Sequence, residues 1–135
     1  MRLPLSLRAG FYASGALLTA SGLAWLGVHY AAPPGAPGSA AALEVHGAAA
    51  MAVLFLAGAV AALHVPGGWR DGKNRRSGLL VVSVLAALTI TGFFLYYAGD
   101  DSLRETASVV HWVIGLAAPL LLWLHSALGR RAARP

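Results

Sequence analysis

The sequence predicts an all-α protein, a four-helix transmembrane bundle of up-down-up-down topology with both termini in the cytoplasm. Hydrophobic residues make up 58% of the 135 residues and charged residues only 11%, whereas soluble domains carry roughly 25% charged residues. The apolar residues form four runs, at about 9–30, 42–65, 77–98 and 106–128. Each run can cross a bilayer, which takes about 20 residues. The length suits one transmembrane domain, 1–135.

The segments between the runs carry the chemistry of loops. Residues 31–39 read AAPPGAPGS, a proline and glycine run that cannot continue a helix. Residues 65–76 read VPGGWRDGKNRR, and Pro66 with the two glycines after it is expected to end the second helix. Ser77 and Ser102 are expected as N-caps of the third and fourth helices.

The basic residues predict the orientation. Under the positive-inside rule, cytoplasmic loops are rich in lysine and arginine. One side of the predicted bundle carries Arg2, Arg8, Arg70, Lys73, Arg75, Arg76, Arg130, Arg131 and Arg134. The opposite side carries Arg104 beside Glu44, Asp100, Asp101 and Glu105. The expected location is therefore the bacterial inner membrane, with lipid as a partner.

Two other readings of the basic residues are disfavoured. The net charge of +5 could indicate nucleic-acid binding, but the charges cluster in short loops beside apolar runs. Arg2 and Arg8 could begin a signal peptide. However, the run from Phe11 to Val28 is long for one, and no clear small-residue cleavage site follows. The first helix is therefore expected to be retained.

Four of the five histidines lie inside two of the apolar runs. His46 and His64 belong to the second run, and His111 and His125 to the fourth. An ionisable side chain at membrane depth is costly and marks a functional site. Histidine is a standard axial ligand of haem iron. The chain has no cysteine, which excludes disulfides, thiolate metal sites and covalent c-type haem.

The spacing of these histidines predicts two haem sites. The second and fourth helices run in the same direction, so His46 is level with His111, and His64 with His125. On the second helix His46 and His64 are 18 residues apart, or five whole turns. On the fourth helix His111 and His125 are 14 residues apart, about 40° short of four turns. The rises differ, at about 27 Å and about 21 Å. Helix tilt and a kink at Pro119 would reduce that mismatch.

Other roles for these side chains stay open. The histidines could be structural, or they could bind zinc or copper, although a tetrahedral site needs three or four clustered ligands. His29, beside Tyr30, is expected at the membrane interface and is the alternative outer ligand. Met51 is a further conceivable ligand, on a different face from His64. Small residues that could leave room for a macrocycle follow each histidine by four positions: Ala50, Gly68, Gly115 and Gly129.

Three arginines are candidates for the carboxylates of a cofactor. Arg75 and Arg76 are mainly topology determinants, but they could also pair with haem propionates or with anionic lipid headgroups. Arg104 is the only base on the outer side, which makes it the expected partner of an outer propionate.

Several segments resemble a known family. HGAAAMA at His46, WRDGKNRRSG after the second run, TGFFLYY, HWVIGL at His111 and the terminal LHSALGRR resemble small bacterial four-helix cytochrome b proteins. These are of the cytochrome b561 type or are cytochrome b subunits of nickel-iron hydrogenase and formate dehydrogenase. The resemblance implies two b-type haems, bis-histidine ligation and electron exchange with quinone. Some relatives place a ligand on the first helix, which keeps His29 as an alternative.

The expected function is therefore electron transfer between a quinone pool and a partner redox protein, by a dihaem b-type cytochrome. Whether the chain is itself an enzyme, such as a quinone oxidoreductase, stays open. A haem-free membrane scaffold for a periplasmic redox enzyme is one alternative. A metal-ion permease is another, but it would need a carboxylate relay, and every acidic residue except Asp71 lies in or beside the outer loops. No nucleic-acid partner is expected.

Overall fold

Four long α-helices form the protein. The structure, a computed structural model, describes residues 4–31, 33, 38–72 and 74–132. Its helices are α1 (Leu5–Ala31), α2 (Ser39–Asp71), α3 (Arg75–Tyr97) and α4 (Asp101–Ala132). Each is long and apolar enough to cross a membrane. The described residues contain no strand, so the prediction of four long apolar helices in an all-α chain is confirmed.

Helix α2 is longer than predicted. The expectation that Pro66 ends it is wrong, because the helix continues to Asp71 with Pro66 inside. Proline removes one backbone hydrogen bond, and long apolar helices tolerate this loss where nearby groups compensate. The carbonyl that loses its partner is that of Ala62, whereas Arg70 Nε donates to a different one, the Pro66 carbonyl, at 3.3 Å. The helix ends instead at Asp71, and Gly72 directly after it has a φ of +69°, which suits glycine at a helix C-terminus.

The predicted cap of α3 is also wrong. The helix begins at Arg75, with Asn74 before it in the left-handed conformation at φ 61°. Ser77 therefore lies within the first turn, and its hydroxyl donates to Asn74 Oδ1 at 2.8 Å. A serine near a helix start can cap the helix or bond to a preceding residue, and tertiary packing decides between them.

Asp100, not Ser102, caps α4. Its Oδ1 accepts hydrogen bonds from Ser102 Oγ at 2.6 Å and from the Leu103 backbone N–H at 2.7 Å. Aspartate is a favoured N-cap because its carboxylate accepts one of the unpaired N–H groups of the first turn. These bonds, that from Ser102 first, hold the pKa of Asp100 below its ordinary value because they stabilise the charged form.

Small side chains are buried and large apolar ones are exposed. The buried residues are Ser21, Ala49, Val53, Ala107 and Ala118. By contrast, Phe55 is 79% exposed and Met51 71% exposed. Soluble proteins bury their large apolar residues, whereas membrane helices approach one another through small residues and direct large ones to lipid. The distribution is consistent with a multi-pass membrane protein.

The chain divides into two compact units, Met1–Arg70 and Asp71–Pro135. The first holds α1 and nearly all of α2, and the second holds α3 and α4. In the second unit the helices are antiparallel. A Cβ on Gly129 would lie 3.5 Å from Asn74 Nδ2, one on Gly115 would lie 3.8 Å from Leu88 Cδ2, and one on Gly92 would lie 3.5 Å from His111 Cε1. These contacts follow α4 from its end towards its start, which places its histidines against α3.

Candidate functional site

The His111 imidazole on α4 forms a hydrogen bond with a hydroxyl of α3. Its Nδ1 lies 2.8 Å from Thr91 Oγ1. The threonine hydroxyl has one proton and donates it within α3, to the Ala87 carbonyl at 2.8 Å. With its proton so directed, the oxygen is the acceptor for the imidazole, an arrangement that assigns the ring proton to Nδ1. In the neutral imidazole, Nε2 then bears the lone pair.

His125 has the same arrangement further along α4. Its Nδ1 lies 2.9 Å from Ser77 Oγ, and the serine proton is donated to Asn74 Oδ1. With its proton so directed, the oxygen of Ser77 is the acceptor for Nδ1, and the same assignment puts the lone pair on Nε2. Asn74 Nδ2 also donates to the His125 carbonyl at 3.0 Å. The start of α3 is thus bonded to both the backbone and the ring of His125.

His46 shows the same tautomer in the other hairpin. Its Nδ1 lies 3.0 Å from the Leu18 carbonyl of α1 and 3.2 Å from Ser21 Oγ. A carbonyl only accepts, so Nδ1 must be protonated. Ser21 donates its own proton within α1, to the carbonyl of Leu17 at 2.8 Å. Three of the four predicted ligands, His46, His111 and His125, are therefore assigned Nδ1–H as the hydrogen-bond donor.

A glycine follows each of the three hydroxyl residues. The pairs are Ser21-Gly22, Ser77-Gly78 and Thr91-Gly92, here called the hydroxyl-glycine pairs. A Cβ added to the glycine would lie 3.0, 3.6 or 3.5 Å from Cε1 of the facing imidazole, respectively. At each pair the helix backbone thus comes close to the ring while the hydroxyl binds it. Only at Gly22 does this approach depend on the missing side chain, because at the other two glycines an added Cβ would make an ordinary contact.

Sequence reasoning missed the hydroxyl-glycine pairs, although a signal was present. Ser77-Gly78 and Thr91-Gly92 are 14 residues apart, and so are His111 and His125. Fourteen residues are two heptads, so both pairs lie on the face that meets the neighbouring helix. Equal spacing on two adjacent antiparallel helices would have paired each hydroxyl with its histidine.

The contact at Gly22 is the tightest and gives a testable difference. We expect Gly22→Ala to displace the His46 ring, because the new Cβ would lie 3.0 Å from Cε1 and 3.2 Å from Nδ1. The unfolding free energy in detergent should fall by about 1–3 kcal/mol, the usual cost of overpacking. In ¹⁵N-histidine NMR, the Nδ1–H signal of His46 should shift or disappear.

Gly92→Ala is the matched control. Its Cβ would make only an ordinary contact, at 3.5 Å from His111 Cε1, so stability and the His111 signal should change little. Equal effects of the two alanine variants would show that the close approach at Gly22 does not constrain the ring.

The other predicted site residues have different surroundings. His64 is exposed on α2. His29 is exposed at the end of α1, where its ring stacks on Trp25 with centroids 4.5 Å apart and planes at 16°. Arg75 and Arg76 are exposed at the start of α3. The pairing of the histidines of α2 with those of α4 stays a prediction.

Arg104, Gly115 and Gly129 make their contacts within the α3–α4 hairpin. The Arg104 side chain donates to the Ala98 carbonyl at 3.0 Å, and it lies 3.6 Å from an oxygen of Asp101. Gly115 and Gly129 face α3, against Leu88 and Asn74. Their small size therefore serves the packing of the hairpin.

Among residues 4–31, 33, 38–72 and 74–132, no three histidine, aspartate or glutamate side chains are grouped so that they could hold a metal ion. The zinc or copper interpretation depended on such a group. No protein-family model matches the chain, and comparisons with curated proteins and with solved structures found no match.

Proposed function

We propose that this protein is a b-type cytochrome of a bacterial inner membrane, which holds two haems and passes electrons between a quinone pool and a partner redox protein. The observation that carries the proposal is the shared hydrogen-bonding arrangement of His46, His111 and His125. In each, Nδ1–H donates to an oxygen of the neighbouring helix. Nε2 is then the nitrogen through which each ring would bind iron.

The hydrogen bonds match what a haem ligand needs. A metal-binding histidine usually donates its other ring N–H to an oxygen, which fixes the ring orientation and raises the basicity of the ligand. Leu18, Ser77 and Thr91 provide these acceptors from α1 and α3. A histidine with only a structural role needs no such uniform tautomer, so three repeats of the arrangement favour ligation.

The spacing on α4 supports two separate haems. His111 and His125 are 14 residues apart, which is about 21 Å along the helix at 1.5 Å per residue. One haem cannot use both as ligands over that distance. His46 and His64 would provide the opposing ligands, as the sequence predicts. Because no cysteine is present, these haems would be held without covalent attachment.

Haem would supply one-electron chemistry at its iron. The chain would hold and orient the imidazoles and keep water from them. The helices suit the second task because they are apolar along their length and pack through small side chains. A dry, low-dielectric surrounding and the hydrogen bonds to the ligands are the means by which a protein adjusts haem potential.

The charges of the α3–α4 hairpin support the proposed orientation. One end carries Arg75, Arg76, Arg130 and Arg131, and the other carries Asp100, Asp101 and Glu105 beside Arg104. By the positive-inside rule we place the basic end in the cytoplasm. Both termini would then be cytoplasmic. Arg75 and Arg76 would lie where haem propionates or anionic headgroups can be bound.

Haem content measured together with metal content tests the proposal. Protein purified from cells with adequate haem supply should give the reduced-minus-oxidised spectrum of low-spin haem b, at two haems per chain. A preparation with neither haem nor metal would instead support the scaffold alternative. Zinc or copper without haem would support the permease or the metal site, and either result would overturn the cytochrome proposal.

A further inference from the structure

Trp112 carries a hydrogen-bond donor that has no acceptor in the described part of the chain. Its indole Nε1 is buried and makes no hydrogen bond there. An indole nitrogen only donates, and buried tryptophans usually find a partner for it. The residue directly follows His111, one of the proposed haem ligands. A buried donor next in sequence to a proposed ligand needs an acceptor, which a group bound at His111 would bring.

We infer that the Trp112 indole N–H donates a hydrogen bond to a propionate carboxylate of the haem bound at His111. The inference rests on the proposed function, since it requires haem at that histidine. Haem carries two carboxylates, and a charged acceptor forms stronger hydrogen bonds than a neutral one. A buried carboxylate in turn needs a donor, because an unpaired charge in an apolar region is costly.

The direction of the helix favours this contact. Side chains on an α-helix lean towards its N-terminus, so the indole of Trp112 covers the turn before it. That direction leads to the polar start of α4 at Asp101. The polar edge of a haem held at His111 would also face the polar end of the helix, since its carboxylates seek the membrane surface.

The residue predicted for this role, Arg104, already makes other contacts. It donates to the Ala98 carbonyl and pairs with Asp101. It also precedes His111 by seven residues, or about 10 Å along the helix. Trp112 is the nearer of the two donors along the chain, and its N–H has no competing acceptor among the described residues.

Trp112→Phe tests the inference, because it removes the N–H and keeps an aromatic ring. The control is Trp123→Phe, on the same helix but 61% exposed. Both variants should keep low-spin haem spectra. Transfer of haem from Trp112→Phe to an excess of a haem-binding apoprotein should be about tenfold faster than from the parent, since a hydrogen bond to a charged group is worth about one factor of ten or more. The propionate bending band in the resonance Raman spectrum should shift. Trp123→Phe should change neither.

Two results would overturn the inference while the proposed function stands. In the first, Trp112→Phe transfers haem as slowly as the parent. In the second, it transfers haem faster but the propionate band does not move, which would mean that Trp112 only packs against the haem. If the parent itself binds no haem, the proposed function fails and this inference with it.

A measurement on the unmodified protein covers the case in which Trp112→Phe does not fold. The four tryptophans give four indole N–H signals in ¹⁵N NMR. One of them should move downfield when haem-loaded protein in the diamagnetic reduced state is compared with haem-free protein. If none of the four moves downfield, no indole gains a strong hydrogen bond on loading, and the inference is wrong.

Discussion

His111→Ala should remove one haem, or convert it to high spin, and leave the other haem intact; His125→Ala should do the same to the other haem. The physical reason is distance, because about 21 Å of helix separates the two histidines. Each also has its own hydroxyl acceptor, Thr91 for His111 and Ser77 for His125. Haem-to-protein ratio and low-temperature electron paramagnetic resonance of the oxidised protein would measure the loss, which should be about half of the haem.

Thr91→Val is the graded control for His111→Ala. Valine keeps the branched shape but removes the acceptor for Nδ1–H. Haem should be retained, with a shifted midpoint potential for one haem only, because the hydrogen bond tunes the ligand without forming the bond to iron. If His111→Ala and His125→Ala both lost the same haem, or if both kept two low-spin haems, the assignment of one haem to each histidine would be wrong.

His46→Ala should lose one haem, whereas His29→Ala should keep both. The Leu18 carbonyl accepts a hydrogen bond from His46 Nδ1–H, which is the arrangement that the proposed ligand role requires. His29 is exposed and stacks on Trp25 of its own helix, the arrangement of an interfacial residue. Haem-to-protein ratios of the two variants, prepared in parallel, decide between them.

The predicted pairing adds a sharper expectation for His46. His46→Ala should change the same haem as His111→Ala, and His64→Ala the same haem as His125→Ala. Loss of haem in His29→Ala with full haem in His46→Ala would move the outer ligand to α1. That result would contradict the role of His46 but leave the roles of His111 and His125 unchanged.

The helices and their membrane character could be predicted from the sequence. In lipid, every backbone polar group must be bonded within its own segment, so a run of about 20 apolar residues has few alternatives to a helix. Composition and length therefore sufficed for all four elements. The helix ends could be predicted less well. The continuation of α2 past Pro66 and the capping of α4 by Asp100 depend on which nearby groups pair with backbone atoms that have lost or lack a hydrogen bond.

The histidines could be selected from the sequence as candidate ligands, because an ionisable residue within an apolar run is costly and therefore rare. The hydrogen-bond partners of their ring nitrogens could not be predicted in this way. Whether Ser77 caps α3 or binds His125 depends on which face of α3 meets α4, and helical periodicity alone leaves that face open. Only the antiparallel packing of the hairpin brings Ser77 within 2.9 Å of Nδ1. The same packing brings Thr91 to His111. The sequence by itself thus determined which residues are candidates. The tertiary structure decided which oxygens face Nδ1 of His46, His111 and His125, because only packing brings atoms of separate helices together.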